Sequence, residues 1–216
     1  MSPAAKPRAA APGGRKSASS EGRVRVLFIG EGATLAHAAR PLALATALPK
    51  SRYQVALAAP EIYRRWAPAG LQWLPLQAQT PAEFAERLER GLPVFSRTRL
   101  EAYFEADLAL IEATRPQVVV GDLRLSLAAS ARTAGVPYIS ISNAYWSPDR
   151  PLRPIRPALE RFGRWPAPLA DLAFRALIPA ALRWQATPVD RLLDAHGLQT
   201  LGRDFRRALT EADVTL

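Results

Sequence analysis

VRVLFIGEGATLAHAARPLALATAL, residues 24–48, decides the fold class. Its first seven residues are short, rich in β-branched side chains and almost continuously apolar, the pattern of a strand buried on both faces. The Gly-containing loop GEGATLAH (30–37) follows, and HAARPLALATAL (37–48) reads as a helix ending near Leu48. The same alternation continues outward. YQVALAA (53–59) is a second strand, EIYRRWAPAG (61–70) a short helix closed by Gly70, and LQWLPL (71–76) a weaker third strand. PAEFAERLERG gives a helix ending at Gly91, with Glu and Arg at i,i+4 spacing. Residues 97–114 form a longer amphipathic helix with Leu100, Tyr103, Phe104, Leu108 and Ile111 on one side.

Pro116 breaks that helix, and QVVVGD (117–122) follows as a strand. SLAASARTAG is a helix with Gly135 where a left-handed residue is often needed, and VPYISIS (136–142) is the next strand. Strands and helices alternating at this spacing predict right-handed βαβ crossovers. The fold class is therefore α/β: a Rossmann-like open parallel sheet with helices on both faces, followed by a mainly helical extension.

The two ends have a different texture. Residues 1–23 are rich in Ala, Pro, Gly, Ser and basic residues, lack apolar periodicity, and read as a disordered basic tail. They lack the apolar centre of a secretory signal. The sheet domain spans 24–148, and a Pro/Arg-rich helical extension spans 149–216. Within the extension, ADLAFRALIPAALRW (170–184) reads as a helix kinked at Pro179. TPVDRLLDAHGL (187–198) reads as a separate helix, with Thr187 as N-cap and Pro188 at its first position. The chain stops on EADVTL, which looks like the start of another strand. No internal repeat is present.

Composition bounds the chemistry. The chain has 216 residues, of which 49% are hydrophobic, enough for one domain with a proper core. Cysteine is absent and only His37 and His196 are histidines, so no disulfide framework and no cysteine- or histidine-rich metal site is expected. No stretch of about 18 apolar residues suggests a transmembrane helix, and a cytoplasmic location is expected. The net charge is +10; residues 1–23 contribute +4, and Arg150, Arg153, Arg156, Arg161 and Arg164 cluster in the second half. This excess suits nucleic acid, an anionic membrane or an anionic substrate; it equally suits an Arg-rich composition with solvated helix faces. No nucleic-acid motif accompanies the charge, so no specific nucleic-acid partner is expected.

Ligands of open α/β sheets bind at the carboxyl ends of the strands. Gly30, Gly32 and Thr34 lie in the first such loop, where glycines permit close backbone approach. The loop matches only the start of GxGxxG, because Leu35 replaces the third Gly, and Glu61 fits a ribose-binding acid poorly. It is not a Walker loop either. His37 sits at the mouth of this loop, either meeting a ligand or packing at a helix start. Asp122 ends the buried strand QVVVG, either capping the next helix or accepting a hydrogen bond from the imidazole. In the second case it would fix the tautomer and leave the other nitrogen as a general base. Asn143, Tyr145 and Trp146 follow the last strand and either line an acceptor pocket or pack as loop residues. Arg124 either approaches an anionic acceptor or is solvated. Leu92, Val94 and Phe95 suit a hydrophobic acceptor or a core. Phe162, Trp165, Phe174 and Trp184 read as apolar helix faces, and His196 as a partner of a helix dipole.

TLAHAARPLALATAL (34–48) resembles the first βα unit of the UDP-glycosyltransferase superfamily, in which a histidine after strand one is followed by a Pro-x-x-x-Leu-Ala helix. VVVGDLRLSLAASARTAGVPYISISNAYWSP (118–148) resembles the family's later strand–helix–strand unit. The resemblance implies a GT-B fold and its N-terminal, acceptor-binding half. It implies that His37 deprotonates the acceptor hydroxyl and that Asp122 holds it. Two departures stand out. The family pattern is Gly-His with Pro three residues on, whereas Ala36 precedes His37 and Pro41 comes four residues later. No signature of the C-terminal donor-binding half is present, and the chain ends about where the linker to that half would begin.

The resemblance implies an inverting glycosyltransferase (hexosyltransferase) that moves sugar from a nucleotide-sugar donor to a small-molecule hydroxyl. It needs no cofactor, and a donor half would have to complete it, possibly as a separate chain. The alternatives are a truncated, non-catalytic remnant that binds small molecules, and a basic nucleic-acid binder.

Overall fold

The computed structural model describes residues 22–151 and 166–216. Nearly all of the basic tail read at 1–23 lies outside them, as do Arg153, Arg156, Arg161, Phe162, Arg164 and Trp165. Among the described residues, six strands form one sheet: β1 (Val24–Gly30), β2 (Tyr53–Ala59), β3 (Gln72–Pro75), β4 (Val118–Asp122), β5 (Tyr138–Ile141) and β6 (Val214–Thr215). Their order is β3-β2-β1-β4-β5-β6, and every neighbouring pair is parallel. The connections carry α1 (Leu35–Ala47), α2 (Pro81–Glu89), α3 (Arg97–Thr114), α4 (Leu127–Thr133), α5 (Ala167–Ala195) and α6 (Phe205–Thr210).

The alternation within β1 explains the layering. Leu27 and Ile29 enter one core with Ile111 of α3 and Leu127 and Ala131 of α4. Val26 and Phe28 enter the opposite core with Ala45 of α1. Both faces of the strand are therefore covered, as its continuous apolar run requires. Each large side chain so buried contributes roughly 1.5–3 kcal/mol.

The segment 61–70 is a 3-10 helix over Glu61–Trp66 rather than an α-helix, bounded by Pro60 and Pro68. The second half differs more. The two helices expected at 170–184 and 187–198 are one helix, α5, with Pro179 and Pro188 inside it. Thr187 does not cap a new helix; its hydroxyl donates to the Arg183 carbonyl one turn back, at 2.9 Å. Gln185, just before the proline, accepts from Val94 N at 2.8 Å and donates to Leu92 O at 2.9 Å. Ala186, Val189, Leu192 and Leu193 are buried against α3 and α6. Packing on both sides carries the helix through Pro188 despite the lost backbone donor. The EADVTL end does become a strand, with Ile139 opposite Val214 and Ser140 opposite Thr215. The helical extension thus shares the core and the sheet of the residues before it.

Strand order reverses between β1 and β4. β1 leads outward to β2 and β3; β4 leads the other way to β5 and β6. In the shared register Gly30 stands opposite Asp122 at the carboxyl end. Crevices at such a switch point are where open α/β sheets bind ligands.

Candidate active site

The first turn of α1 lies directly on the end of β1. A side chain at Gly30 would come within 2.8 Å of the His37 carbonyl oxygen and 3.2 Å of Ala38 Cα. One at Gly32 would come within 2.6 Å of the Gln79 carbonyl oxygen. The glycines do permit a close approach, here of the chain's own backbone. Thr34 is the N-cap of α1 in extended conformation; its side chain makes no capping hydrogen bond and is exposed.

This packing sets His37 over β4. His37 Nδ1 lies 2.7 Å from Asp122 Oδ1. The Asp122 side chain is 1% exposed and that of His37 17%. An ionised carboxylate only accepts, so Nδ1 carries the proton and Nε2 presents its lone pair. Nε2 makes no hydrogen bond among the described residues. Asp122 does not cap the next helix, because α4 begins at Leu127 with Ser126 as its N-cap. Although Pro41 comes four residues after His37 rather than three, the imidazole faces Asp122.

Arg40 completes the cluster, although no motif in the sequence marks it. It lies three residues after His37 on α1, a spacing that puts both on one helix face. Its Nη2 donates to Asp122 Oδ1 at 2.7 Å and its Nη1 to Asn143 Oδ1 at 3.1 Å. Nη2 also lies 3.1 Å from His37 Nδ1. With Nδ1 protonated both nitrogens are donors, so this last contact is a close approach rather than a hydrogen bond. Asn143 Nδ2 donates to the Tyr145 hydroxyl at 3.3 Å, and Tyr145 is exposed. Trp146 instead turns inward, edge-on to Phe205 with ring centroids 6.1 Å apart. Of the three candidates after β5, Asn143 and Tyr145 reach the site, whereas Trp146 is packed.

Arg124 belongs elsewhere. Leu123 adopts φ +56, and the side chains on either side of it diverge. Asp122 meets α1, whereas Arg124 meets α3. The Arg124 Nε donates to Asp107 Oδ1 at 3.0 Å and its Nη1 to Glu31 Oε2 at 3.1 Å, with all three side chains 0% exposed. Its guanidinium lies 3.5 Å from the centroid of Tyr103, whose hydroxyl donates to Glu31 Oε1 at 3.1 Å. Ser126 donates to Asp107 Oδ2 at 2.5 Å. Burial pushes the Glu31 and Asp107 carboxyls above the ordinary carboxylate range, against the lowering effect of Arg124. Burial and the Glu31 charge push Tyr103 up to about 12. Arg124 is therefore neither solvated nor open to an acceptor.

The other sequence candidates are structural. Val94 and Phe95 are buried core residues. His196 caps the end of α5 and stacks on Phe104, with centroids 3.8 Å apart. Trp184 donates to the Gly91 carbonyl at 3.1 Å. Among the described residues no group of His, Cys, Asp and Glu is arranged to hold a metal ion, and no helix is long and apolar enough to cross a membrane.

No protein-family model matches the chain. It is 39% identical over 198 residues to an inactive PGL/p-HBAD biosynthesis glycosyltransferase of Mycobacterium bovis, covering 90% of this chain and 53% of that protein. The same identity over the same length holds for a PGL/p-HBAD biosynthesis glycosyltransferase of Mycobacterium tuberculosis, of which 46% is covered. A PGL/p-HBAD biosynthesis rhamnosyltransferase of Mycobacterium bovis is 38% identical over 195 residues, with 43% of it covered. The chain spans about half the length of these curated relatives. Among solved structures, the glycotransferase of kitacinnamycin superposes with a TM-score of 0.56 at 16% identity, over 89% of this chain and 45% of that one.

Proposed function

The chain being a UDP-glycosyltransferase-like N-terminal half of GT-B fold, we propose that it binds the acceptor in an inverting sugar transfer. The acceptor hydroxyl sits above the carboxyl edge between β1 and β4. His37 Nε2 takes its proton, and Asp122 holds the ring and stabilises the imidazolium that forms. The freed oxygen attacks the anomeric carbon of a nucleotide sugar as the bond to the diphosphate breaks, and the nucleoside diphosphate leaves. The donor is held chiefly by a second half, either in the same polypeptide or on a separate chain. We place the reaction in the cytoplasm, since a chain without cysteine fits a reducing compartment.

One observation carries this reading: the 2.7 Å contact between His37 Nδ1 and Asp122 Oδ1 at the switch point. The test is transfer from a panel of nucleotide sugars, by this chain together with the region encoded immediately downstream. His37→Ala should lower kcat by about 100- to 10,000-fold. Equal transfer by the variant overturns the role of His37. A second reading is a binding module without turnover. A relative named inactive matches this chain at the same 39% identity as a counterpart not so named. That reading requires acceptor binding with no transfer from any donor, even with the second half present.

A further inference from the structure

We propose that Arg40 is a positioning residue for the His37–Asp122 pair. It supplies the cation that the buried Asp122 carboxylate requires, and so leaves the His37 imidazole neutral and free to take a proton. This rests on the reading of His37 as the base.

The argument is one of charge and geometry. An ionised carboxylate shut away from water needs a cationic partner. Two groups reach Asp122 Oδ1, His37 Nδ1 and Arg40 Nη2, each at 2.7 Å. Asp122 Oδ2 has no partner among the described residues. A guanidinium remains charged at every working pH. With Arg40 in place, a neutral imidazole gives the cluster no net charge. Without Arg40, the same balance favours a second proton on His37. That imidazolium has no lone pair on Nε2 and cannot accept a proton from an acceptor. The 3.1 Å separation of Arg40 Nη2 from His37 Nδ1 acts in the same direction, since a cation beside the ring opposes a second positive charge.

The guanidinium is held from three sides. It springs from α1, pairs with the end of β4, and donates to Asn143 Oδ1 just past β5. The other charged groups beneath this edge, Glu31 and Arg124, are paired with each other, and the Tyr145 hydroxyl is bonded to Asn143. Arg40 is thus the guanidinium aimed at the pair.

The chain has only two histidines, so nitrogen-15 NMR of the imidazoles of the full 216-residue chain reads His37 directly, with His196 as an internal reference for the fold. At pH 7 the wild type should show His37 neutral, with its proton on Nδ1. Arg40→Gln, similar in length but uncharged, should show His37 as imidazolium, and Arg40→Lys should restore the neutral ring. In the complete two-half protein, Arg40→Gln should lower kcat at pH 7 by about tenfold or more, with the acceptor KM little changed, and recover at higher pH. An imidazolium in the wild type at pH 7 overturns the proposal. So does a neutral ring in Arg40→Gln with the His196 signal intact. If Arg40→Gln loses the fold, the wild-type spectrum and Arg40→Lys still decide: an imidazolium in either rejects the proposal. The NMR arm is independent of turnover, so transfer surviving in His37→Ala would sink the base assignment without deciding the charge role of Arg40.

Discussion

Two charged clusters lie beneath the same sheet edge, and they differ in what is left unused. In the open one, Arg40 and His37 are 31% and 17% exposed, and His37 Nε2 has no hydrogen bond among the described residues. In the closed one, Glu31, Asp107 and Arg124 are 0% exposed. There all four carboxylate oxygens accept: from Gln79 N and Tyr103, from Arg124 twice, and from Ser126 and Ser130. Both contain an arginine and a carboxylate, and Asp122 and Arg124 are separated only by Leu123 in its left-handed turn. Residue type therefore does not separate chemistry from architecture here. A free lone pair at a wet edge marks the one, and dry carboxylates with every oxygen hydrogen-bonded mark the other.

The largest effect should come from breaking the closed cluster. Arg124→Met leaves two buried carboxylates without a cation and should cost about 3–5 kcal/mol of stability, read from denaturant midpoints. Asp122→Asn in the open cluster should cost far less stability while lowering transfer by the complete protein. A reversed order of stabilities would erase the distinction between the two. A smaller effect joins them: Gly30→Ala pushes a methyl group against the first turn of α1 and should cost about 1–3 kcal/mol. Because that turn carries His37, the variant should also lose transfer beyond what its stability loss explains. Unchanged turnover would mean that the β1–α1 packing does not set the imidazole.

How far the sequence revealed these clusters follows from the distances involved. The strands were legible because each core-facing run is local; β1, β2 and α3 begin and end where their patterns do. His37 and Asp122 were legible because Asp122 ends β4 and His37 opens the helix that follows β1, so topology brings them to the same carboxyl edge. Arg40 was not, since an arginine on a surface helix looks the same whether solvated or aimed at a carboxylate. Its spacing from His37 was the available signal. The closed cluster joins residues 93 and 17 positions apart, so no local pattern marks it. Only Asp107 gave a hint, as a charged residue within the buried face of α3. The join at Thr187–Pro188 misled because its N-cap signal is local, while the packing that overrides it is not.

The smallest effect tests whether the closed cluster carries a titratable charge. Glu31 and Asp107 share one arginine, so the fully ionised cluster has one negative charge too many. Burial raises both carboxyls in the folded chain. A raised folded-state value means that the folded chain holds a proton that the unfolded chain releases. The stability from that proton is fully present below the ordinary carboxylate range, near pH 4, and is lost as pH rises through the raised value. Acidifying from neutrality should therefore add stability from this cluster, at no more than about 1.4 kcal/mol per pH unit for one shared proton. Glu31→Gln leaves one carboxylate for one guanidinium and should flatten that slope, whereas Arg40→Gln, in the open cluster, should leave it in place. Melting temperatures of the three chains across pH 4–8 provide the measurement. Parallel profiles for the wild type and Glu31→Gln would show that Arg124 neutralises both acids without a proton, making the closed cluster a fixed charge network.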